Sequence, residues 1–403
     1  MRILNVDVGT GTQDIYLYDS RVDLENGFKL VIPSPTMIVH RQLRAATQRG
    51  QAVALTGVTM GGGPSHWAAR DHAKAGYAVY ATPEAARTFD DDLDRVQADG
   101  MLVLSEDEIA ALPDTVLRLE LRDFDFAAIA RAFNEFGVDL GNLDAVAVAV
   151  FDHGAAPPEV SDRQFRFDYL DEQIRARNRL SAFAFSRDNV PAAMTRLQAV
   201  VNSAHGLDAP LVVMDTAPAA VLGATLDPVV SQRPRVMIAN VGNFHTLAFR
   251  LGAERQIEGV FEHHTGLLDL PKLEGLLRAL ADGSLQHADV FGDHGHGALI
   301  YGHDALPLGD GEFNVVVTGP RRGMFVPTED GRRRKTGDAV LPSPVPRHPS
   351  LRPYFPAPYG DMMIAGCFGL LAAVADVLPE LGEPIRASLR GAGGRGTPPW
   401  EIG

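Results

Sequence analysis

Cysteine is almost absent from this sequence of 403 residues, which contains a single one, Cys367. One thiol cannot form a disulfide within the chain, so the disulfide-stabilised folds of small secreted proteins are excluded. Nor can it supply the several thiolates that hold an iron–sulfur cluster. The sequence therefore excludes both a disulfide within the chain and an iron–sulfur cluster held by its own cysteines.

Positive charge and long apolar runs are also scarce. Lys and Arg number 37 against 51 Asp and Glu, which gives a formal net charge of -14. A surface of this charge repels nucleic acid and anionic membranes, so neither is an expected partner. The sequence does not begin with a basic region and an apolar segment, and no apolar run approaches membrane-spanning length. These absences predict a cytoplasmic protein.

The rest of the composition is that of an ordinary globular chain. Hydrophobic residues make up 45% and charged residues 22%. A chain of this length predicts two domains or one large one. Residues 52–58, 65–75 and the segment after them read as strand, helix and strand, which predicts a parallel sheet. Residues 21–39 favour further short strands, and the basic run at 331–338 favours a solvated loop.

The stretch VDVGTGTQDIYLYD, residues 6–19, predicts a β-hairpin with a glycine-rich turn at residues 9–12. Such a turn has two interpretations. It is a plain connection, or its N–H groups and hydroxyls form a cradle for a phosphate. In the second case, Asp7 and Asp14 would flank a phosphate bound to a metal ion.

A second stretch repeats the pattern. In VMIANVGNFHTLAFRL, residues 236–251, an apolar strand again leads through Val-Gly into a short polar turn and a second strand. Asp7-Val8-Gly9 aligns with Asn240-Val241-Gly242. This repetition indicates a duplicated domain, and two such turns facing each other would grip one polyphosphate.

The order of these motifs resembles that of the superfamily of actin, sugar kinases and heat-shock chaperone ATPases. Five segments resemble, in order, its first phosphate motif, first connecting helix, second phosphate motif, adenosine motif and second connecting helix: residues 3–19, 215–224, 236–250, 315–323 and 361–374. The resemblance implies an α/β fold of two actin-like (ribonuclease H-like) duplicated lobes with a central cleft. The lobes are expected at residues 1–208 and 209–381, with a loose tail at 382–403.

The resemblance also implies a site for ATP and Mg²⁺. Asp7 would hold Mg²⁺, Asp215 would orient the attacking water or hydroxyl, and Gly319 would let the backbone approach the nucleoside. The remaining cofactor-binding candidates are the turn residues and their neighbours: Gly9, Thr10, Gly11, Thr12, Asn240, Gly242, Asn243 and Thr246. The structural alternative is that Asp7 and Asp215 are strand-end carboxylates that cap nearby N–H groups.

Three residues depart from the superfamily pattern. Asn240 stands where an Asp is usual, Phe244 adds bulk to a turn that is commonly all glycine, and Pro320 replaces the second glycine of the adenosine motif. The fold tolerates these departures, which bear instead on ATP binding and, above all, on ATP hydrolysis.

The whole chain further resembles a family of actin-like proteins that are often labelled pyruvate formate-lyase activating enzymes. The label implies radical chemistry on an iron–sulfur cluster, which a single cysteine cannot hold. The expected activity is instead that of an ATP-dependent phosphotransferase or ATPase with an unknown acceptor. The alternatives are a non-catalytic nucleotide-binding accessory protein, or a metal-dependent enzyme that uses the His-rich segment 262–303.

Three further groups of residues are candidates for chemistry. The tract Gly61, Gly62, Gly63 with His66 is either a tight strand-to-helix turn or a substrate site. Asp152 and His153 follow a strand, where they act as acid and base or as capping and half-buried side chains. Candidate ligands for a transition metal are His263, His264, His294 and His296, which could converge with the carboxylates of Glu262 and Asp293 if the helix between them folds back. The alternatives for these histidines are substrate binding, acid–base catalysis and a structural role in loops.

Overall fold

The computed structural model describes residues 1–309, 313–326 and 350–391. The basic run at 331–338 lies outside them. The strands are β1 (Arg2–Val8), β2 (Thr12–Asp19), β3 (Phe28–Pro33), β4 (Val53–Gly57), β5 (Val79–Ala81), β6 (Leu102–Val103), β7 (Leu117–Leu121), β8 (Ala145–Val150), β9 (Ala184–Ser186), β10 (Leu211–Asp215), β11 (Val236–Val241), β12 (His245–Leu251), β13 (Ile257–His264), β14 (Gly297–Ile300), β15 (Val315–Thr318) and β16 (Pro353–Tyr354).

The α-helices alternate with these strands along much of the chain. They are α1 (Pro35–Arg49), α2 (Pro64–Lys74), α3 (Pro83–Ala86), α4 (Leu93–Ala98), α5 (Glu106–Ala110), α6 (Phe126–Glu135), α7 (Asp162–Ala176), α8 (Thr195–Ser203), α9 (Thr216–Ala224), α10 (Pro228–Ser231), α11 (Leu270–Asp282), α12 (His287–Phe291), α13 (Ala365–Val377) and α14 (Pro379–Leu389). Among the described residues, no helix combines the length and apolar character needed to cross a membrane.

The chain divides into two compact units. The first comprises Met1–Phe165, Ser181–Gly223 and the described residues from 359 onward, and the second comprises Arg166–Leu180 and the described part of Ala224–Pro358. These units divide the chain at positions other than 208/209. The lobes expected at 1–208 and 209–381 remain a prediction. Helix α14 occupies 379–389, so the expectation of a loose tail from residue 382 was wrong as far as residue 389, and residues 392–403 lie outside the described residues.

The main sheet of the first unit has the strand order β3-β2-β1-β8-β10-β9. Strands β1, β2 and β3 form an antiparallel meander, whereas β1, β8 and β10 are parallel. Strand β8, with the sequence AVAVAV, is buried along its whole length, as expected for a central parallel strand. The carboxyl ends of the three parallel strands therefore lie at one edge of this sheet.

The main sheet of the second unit repeats this plan. Its strand order is β14-β13-β12-β11-β15-β16, with β11, β12 and β13 antiparallel in sequence and β11, β15 and β16 parallel. The repetition of a three-strand meander followed by parallel strands confirms the predicted duplicated, actin-like α/β fold. The central cleft stays a prediction.

A third sheet belongs to the first unit and has the order β6-β5-β4-β7, with all strands parallel. The predicted strand–helix–strand unit is confirmed as β4, α2 and β5. Residues 35–49 are helical, so the expectation of short strands through residue 39 was wrong there. Ser34 caps this helix and Pro35 occupies its first turn, a start signal that outweighs the β-branched residues which follow.

Helix α11 shows how the second unit builds its core. It begins at the cap Asp269, whose side chain accepts a hydrogen bond from the N–H of Lys272, and ends at Gly283 in the left-handed conformation. Its leucines recur at helical spacing, and Leu273 and Leu277 are fully buried against the sheet. This packing fixes the strands that carry the histidines described below.

Candidate functional site

The turn between β1 and β2 is fixed by backbone hydrogen bonds. The N–H of Gly9 donates to the carbonyl oxygen of Thr12 at 2.9 Å. The Ser34 hydroxyl donates to the Thr10 carbonyl at 2.5 Å, and the Ser34 N–H donates to the Gly11 carbonyl at 3.2 Å. Because the C=O and N–H of a trans peptide point in opposite directions, the Gly11 N–H faces away from Ser34. The turn thus presents a donor to an anion.

Two carboxylates lie directly opposite each other beside this turn. Asp7 on β1 pairs in register with Asp14 on β2, so their side chains share one face of the sheet. Burial raises the pKa of Asp14 to about 7, and the charge of Asp7 adds to this shift. Burial also raises the pKa of Asp7 to about 6, with a smaller contribution from Asp215. A divalent cation would relieve both the desolvation and the repulsion.

Helix α13 packs closely over this carboxylate pair. A Cβ atom on Gly366 would overlap Oδ2 of Asp7, so the backbone of the helix approaches the carboxylate as only glycine allows. The Cys367 Sγ donates to the carbonyl oxygen of Asp14 at 3.2 Å. Burial raises the pKa of the Cys367 thiol well above its ordinary value. The single cysteine is therefore a packed, protonated thiol.

Asp215 and Asp152 lie at the carboxyl ends of β10 and β8 and are each 3% exposed. Oδ1 of Asp215 accepts from the N–H of Ala217 at 3.2 Å. Both carboxylate oxygens of Asp152 accept backbone N–H groups, from Gly154 and Leu197, each at 2.8 Å. The bond from Leu197 holds the start of α8 and the bond from Gly154 holds the loop after β8, which supports the capping interpretation of Asp152.

Near Asp7, the hydroxyl of Thr216 donates to Asp7 Oδ1 at 2.6 Å. Strand β10 ends and α9 begins at this point, so Asp215 and Thr216 both follow from the strand-to-helix transition. His153 follows Asp152, and its ring packs edge-on against that of Phe151 at 4.7 Å between centroids.

The second hairpin has the same closing hydrogen bond as the first. The N–H of Gly242 donates to the carbonyl oxygen of His245 at 2.9 Å, so His245 occupies the position that Thr12 holds in the first hairpin. Asn243 is exposed in the turn. Thr246, in contrast, is fully buried, and its hydroxyl lies 2.9 Å from that of Thr265 on the core side. The turn, rather than Thr246, is the part available to a ligand.

The adenosine motif lies beside this hairpin. Strands β11 and β15 pair in register at Asn240 and Thr318. Gly319 has a φ of 95°, and a Cβ there would lie 2.5 Å from both Asn240 Oδ1 and the Val241 carbonyl oxygen. A glycine is therefore required at this position, and the structure brings Asn240 and Gly319 together.

The glycine tract before α2 is tightly packed. A Cβ on Gly61 would lie 2.7 Å from the guanidinium of Arg196, and one on Gly62 would lie 2.5 Å from the Thr88 carbonyl oxygen. Gly63 has a φ of 62° at the helix cap. His66 on α2 lies 2.9 Å from a carboxylate oxygen of Asp99. These contacts support the interpretation of the tract as a tight strand-to-helix turn.

The histidines of the second unit separate onto two faces of β13. His263 points to the opposite face of the strand from Glu262 and His264, which flank it in the sequence. Its Nε2 lies 3.1 Å from Oδ2 of Asp293, which also pairs with Lys272. His294 is exposed in a turn, with a φ of 66°. His264 and His296 lie on the other face, with ring centroids 4.7 Å apart. The four histidines predicted as metal ligands therefore do not come together as one group.

A different group forms on that second face. Nδ1 of His245 lies 3.1 Å from Oε1 of Glu262, and Nδ1 of His296 lies 3.5 Å from the same oxygen. The other carboxylate oxygen, Oε2, lies 3.2 Å from Nε of Arg166, and both members of this ion pair are fully buried. Burial lowers the pKa of His296 to about 3, so its imidazole is neutral at pH 7. We call His245, Glu262, His296 and Arg166 the imidazole–carboxylate cluster.

Two members of this cluster were not among the predicted site residues, His245 and Arg166. His245 is the last residue of the second turn and the first of β12, where it pairs in register with His264. Alternation along two paired strands was the signal that could have placed His245, His264 and Glu262 on one face. Arg166 lies on α7, and no sequence pattern connects it to β13.

Comparison with known proteins gives a family and several remote structural likenesses. The ROK hexokinase from Thermus thermophilus has 13% identity and a TM-score of 0.24, covering 73% of this chain and 65% of the hexokinase. An exopolyphosphatase-like protein has 11% identity and a TM-score of 0.22, covering 70% and 59%. A nucleotide-free acetone carboxylase has 12% identity and a TM-score of 0.20, covering 64% and 46%. The chain thus spans less than two thirds of the length of each.

No curated protein matches this sequence. Residues 60–324, which are more than half of the chain, match a family described as "Putative pyruvate format-lyase activating enzyme (DUF1786)". The match includes the glycine tract, the second hairpin and the whole imidazole–carboxylate cluster. The chain therefore belongs to the DUF1786 family.

Proposed function

We propose that the chain binds a Mg²⁺-nucleotide, with ATP as the expected ligand, and acts as a phosphotransferase or ATPase. The observation that supports this most is the pair Asp7 and Asp14, two carboxylates that face each other beside a glycine-threonine turn. Opposed like charges destabilise a sheet unless a cation lies between or beside them. A cation next to a turn that presents N–H donors is an arrangement suited to phosphate.

The residues of the first unit have separate tasks under this proposal. Asp7 and Asp14 attract Mg²⁺, which keeps several of its waters. The turn at residues 9–12 donates to the phosphates. Asp215, at the end of β10, two strands away from β1 in the sheet, orients the attacking water or hydroxyl. Positioning and charge neutralisation of this kind account for most of the catalysis of phosphoryl transfer.

The second candidate function is a switch that binds nucleotide without hydrolysing it. It is favoured by the second hairpin, in which Asn240 pairs in register with Leu247 where the first hairpin has two carboxylates. The second hairpin therefore offers no charged support for a cation at that position. That both turns hold one polyphosphate stays a prediction.

The radical chemistry that the family description implies is not part of this proposal. A cluster of the kind that such chemistry uses is held by several cysteine thiolates. The sequence contains only Cys367, whose Sγ is packed against backbone carbonyl oxygens.

The nucleotide proposal is tested by isothermal titration of the protein with Mg·ATP. We expect saturable binding, and we expect Asp7→Asn to weaken it at least tenfold because the variant lacks a charge that attracts Mg²⁺. Asp208→Asn, which changes an exposed carboxylate, is the matched control and should bind like the parent. Equal binding by parent and Asp7→Asn would place the nucleotide elsewhere.

Phosphate release then separates the two candidate functions. The parent is incubated with Mg·ATP, first alone and then with a panel of small hydroxylated metabolites. Release of phosphate or loss of ATP that disappears in Asp215→Asn supports the enzyme. Binding without turnover under every condition supports the switch.

A further inference from the structure

The imidazole–carboxylate cluster is assembled by three neighbouring strands of the second unit. His245 begins β12 and pairs in register with His264 on β13, and Glu262 lies two residues earlier on the same face. Glu262 in turn pairs with Gly297 on β14, and the N–H of His296 donates to the Glu262 carbonyl oxygen at 2.9 Å. The sheet register therefore fixes the backbone of all three side chains.

The spacing of the ligand atoms is that of a coordination sphere. Nδ1 of His245 and Nδ1 of His296 lie 3.1 Å and 3.5 Å from Oε1 of Glu262. Each of the three residues offers one ligand atom within 4.8 Å of the others. Metal–ligand bonds of about 2.1 Å separate the ligands by about 3.4 Å in a tetrahedral site and by about 3.0 Å in an octahedral one. Little movement would bring these atoms around one ion.

Arg166 orients the carboxylate. Its Nε holds Oε2 of Glu262 at 3.2 Å, so Oε1 remains directed at the two imidazoles. Partners of this kind, which hold a ligand from behind, are a regular part of protein metal sites. The guanidinium also cancels the charge of the carboxylate. A bound divalent ion would therefore attract an anionic additional ligand, such as hydroxide.

We propose that His245, Glu262 and His296 bind one divalent transition-metal ion, with at least one coordination position left for water or an anion. Two imidazoles and one carboxylate suit Zn²⁺, Fe²⁺ or Mn²⁺ and disfavour Mg²⁺, which prefers oxygen ligands. The site differs from the metal site predicted from the sequence, because His263, His264 and His294 take no part and His245 does. It does not depend on nucleotide binding, since none of its three ligands is among the residues assigned to the nucleotide.

The test is titration of the full-length, metal-stripped protein with Zn²⁺ in the absence of nucleotide. We expect one ion per chain, and we expect Co²⁺ at the same site to give the visible absorption of a low-coordinate ion. His296→Gln should weaken Zn²⁺ binding at least 100-fold because it removes a ligand. His294→Gln, in which the changed histidine is exposed and two residues away, is the matched control and should bind like the parent.

A second variant keeps the result interpretable if the first does not fold. His245→Gln removes a partly exposed ligand and leaves the buried pair of Arg166 and Glu262 intact. Circular dichroism establishes that each variant folds. The proposal is overturned if the parent binds no stoichiometric Zn²⁺, or if folded His245→Gln or His296→Gln binds as tightly as the parent. Failure of Mg·ATP to bind would leave this result unaffected.

Discussion

Asp7 and Asp14 are carboxylates whose ionised forms destabilise the folded first unit. Both carboxyls lose hydration on folding, and each raises the energy of the other when both are ionised. Thr216 and the nearby turn offset only part of this cost. Residues that lower stability in the absence of a ligand are a common property of binding sites.

This cost predicts how stability depends on pH. The pKa of folded Asp14 is about 7 and that of Asp7 about 6, against an ordinary value of 3.8 for each. The folded state thus holds more protons than the unfolded state between these values, so the free energy of unfolding falls as the pH rises from about 4 to 7. We predict that Asp14→Asn flattens this decline and is more stable than the parent at about pH 8.

Urea unfolding at three pH values spanning this range measures the effect. Asp208→Asn, an exposed change in the same unit, should follow the pH dependence of the parent. An Asp14→Asn variant whose stability declines as steeply as that of the parent would show that burial does not perturb this carboxyl.

Helices α9 and α13 are elements whose composition follows from how closely they pack. A Cβ on Gly223 would overlap the carbonyl oxygen of Ala365, and one on Gly369 would overlap that of Ala219. The resemblance to the actin superfamily predicted both segments as connecting helices. The structure adds the reason, which is that each glycine lies against the backbone of the other helix.

We predict that Gly369→Ala lowers the free energy of unfolding by about 1–3 kcal/mol or more, because backbone atoms cannot move aside as a flexible side chain can. Gly275→Ala is the matched control, since Gly275 lies inside α11 and a Cβ there meets nothing within 4 Å. The control should gain about 0.5–1 kcal/mol from helix propensity. Chemical denaturation measures both. Equal effects of the two changes would contradict the close packing of α9 and α13.

Over the whole molecule, the repeated sheet was the feature best predicted from sequence. The two hairpins were recognised because strand, Val-Gly turn and strand are local patterns that repeat. The start of α1 was missed because its β-branched residues favour a strand, whereas the signal at Ser34-Pro35 is only two residues long. Boundaries of the compact units were beyond prediction, since they depend on which distant segments share a core.

In the candidate site, too, local motifs could be predicted from the sequence and contacts between distant segments could not. Asp7, the turn and Gly319 follow local motifs, and the structure places each beside a hairpin. The imidazole–carboxylate cluster depends on strand register and on a helix far away in sequence. Arg166 and Glu262 are 96 positions apart, and no spacing rule connects them.

Hydrogen exchange of the whole chain separates the two proposed ligands. We predict that Zn²⁺ slows amide exchange in residues 241–264 and 293–300, because it links three strands of the second unit. Mg·ATP should slow exchange in residues 5–14. The control is His296→Gln, which should lose the response to Zn²⁺ and keep the response to Mg·ATP. If Zn²⁺ added without nucleotide protected residues 5–14, the assignment of the ion to the second unit would be contradicted.

Because the same hydrogen bond closes both turns, Thr12 and His245 occupy equivalent positions in the two hairpins. Once a chain carries two copies of a motif, selection on one copy no longer restrains the other. Here one copy carries hydroxyls and carboxylates, the hard oxygen donors, and the other carries an imidazole where the first has a hydroxyl. The same backbone plan thus presents oxygen donors in one unit and a nitrogen donor in the other.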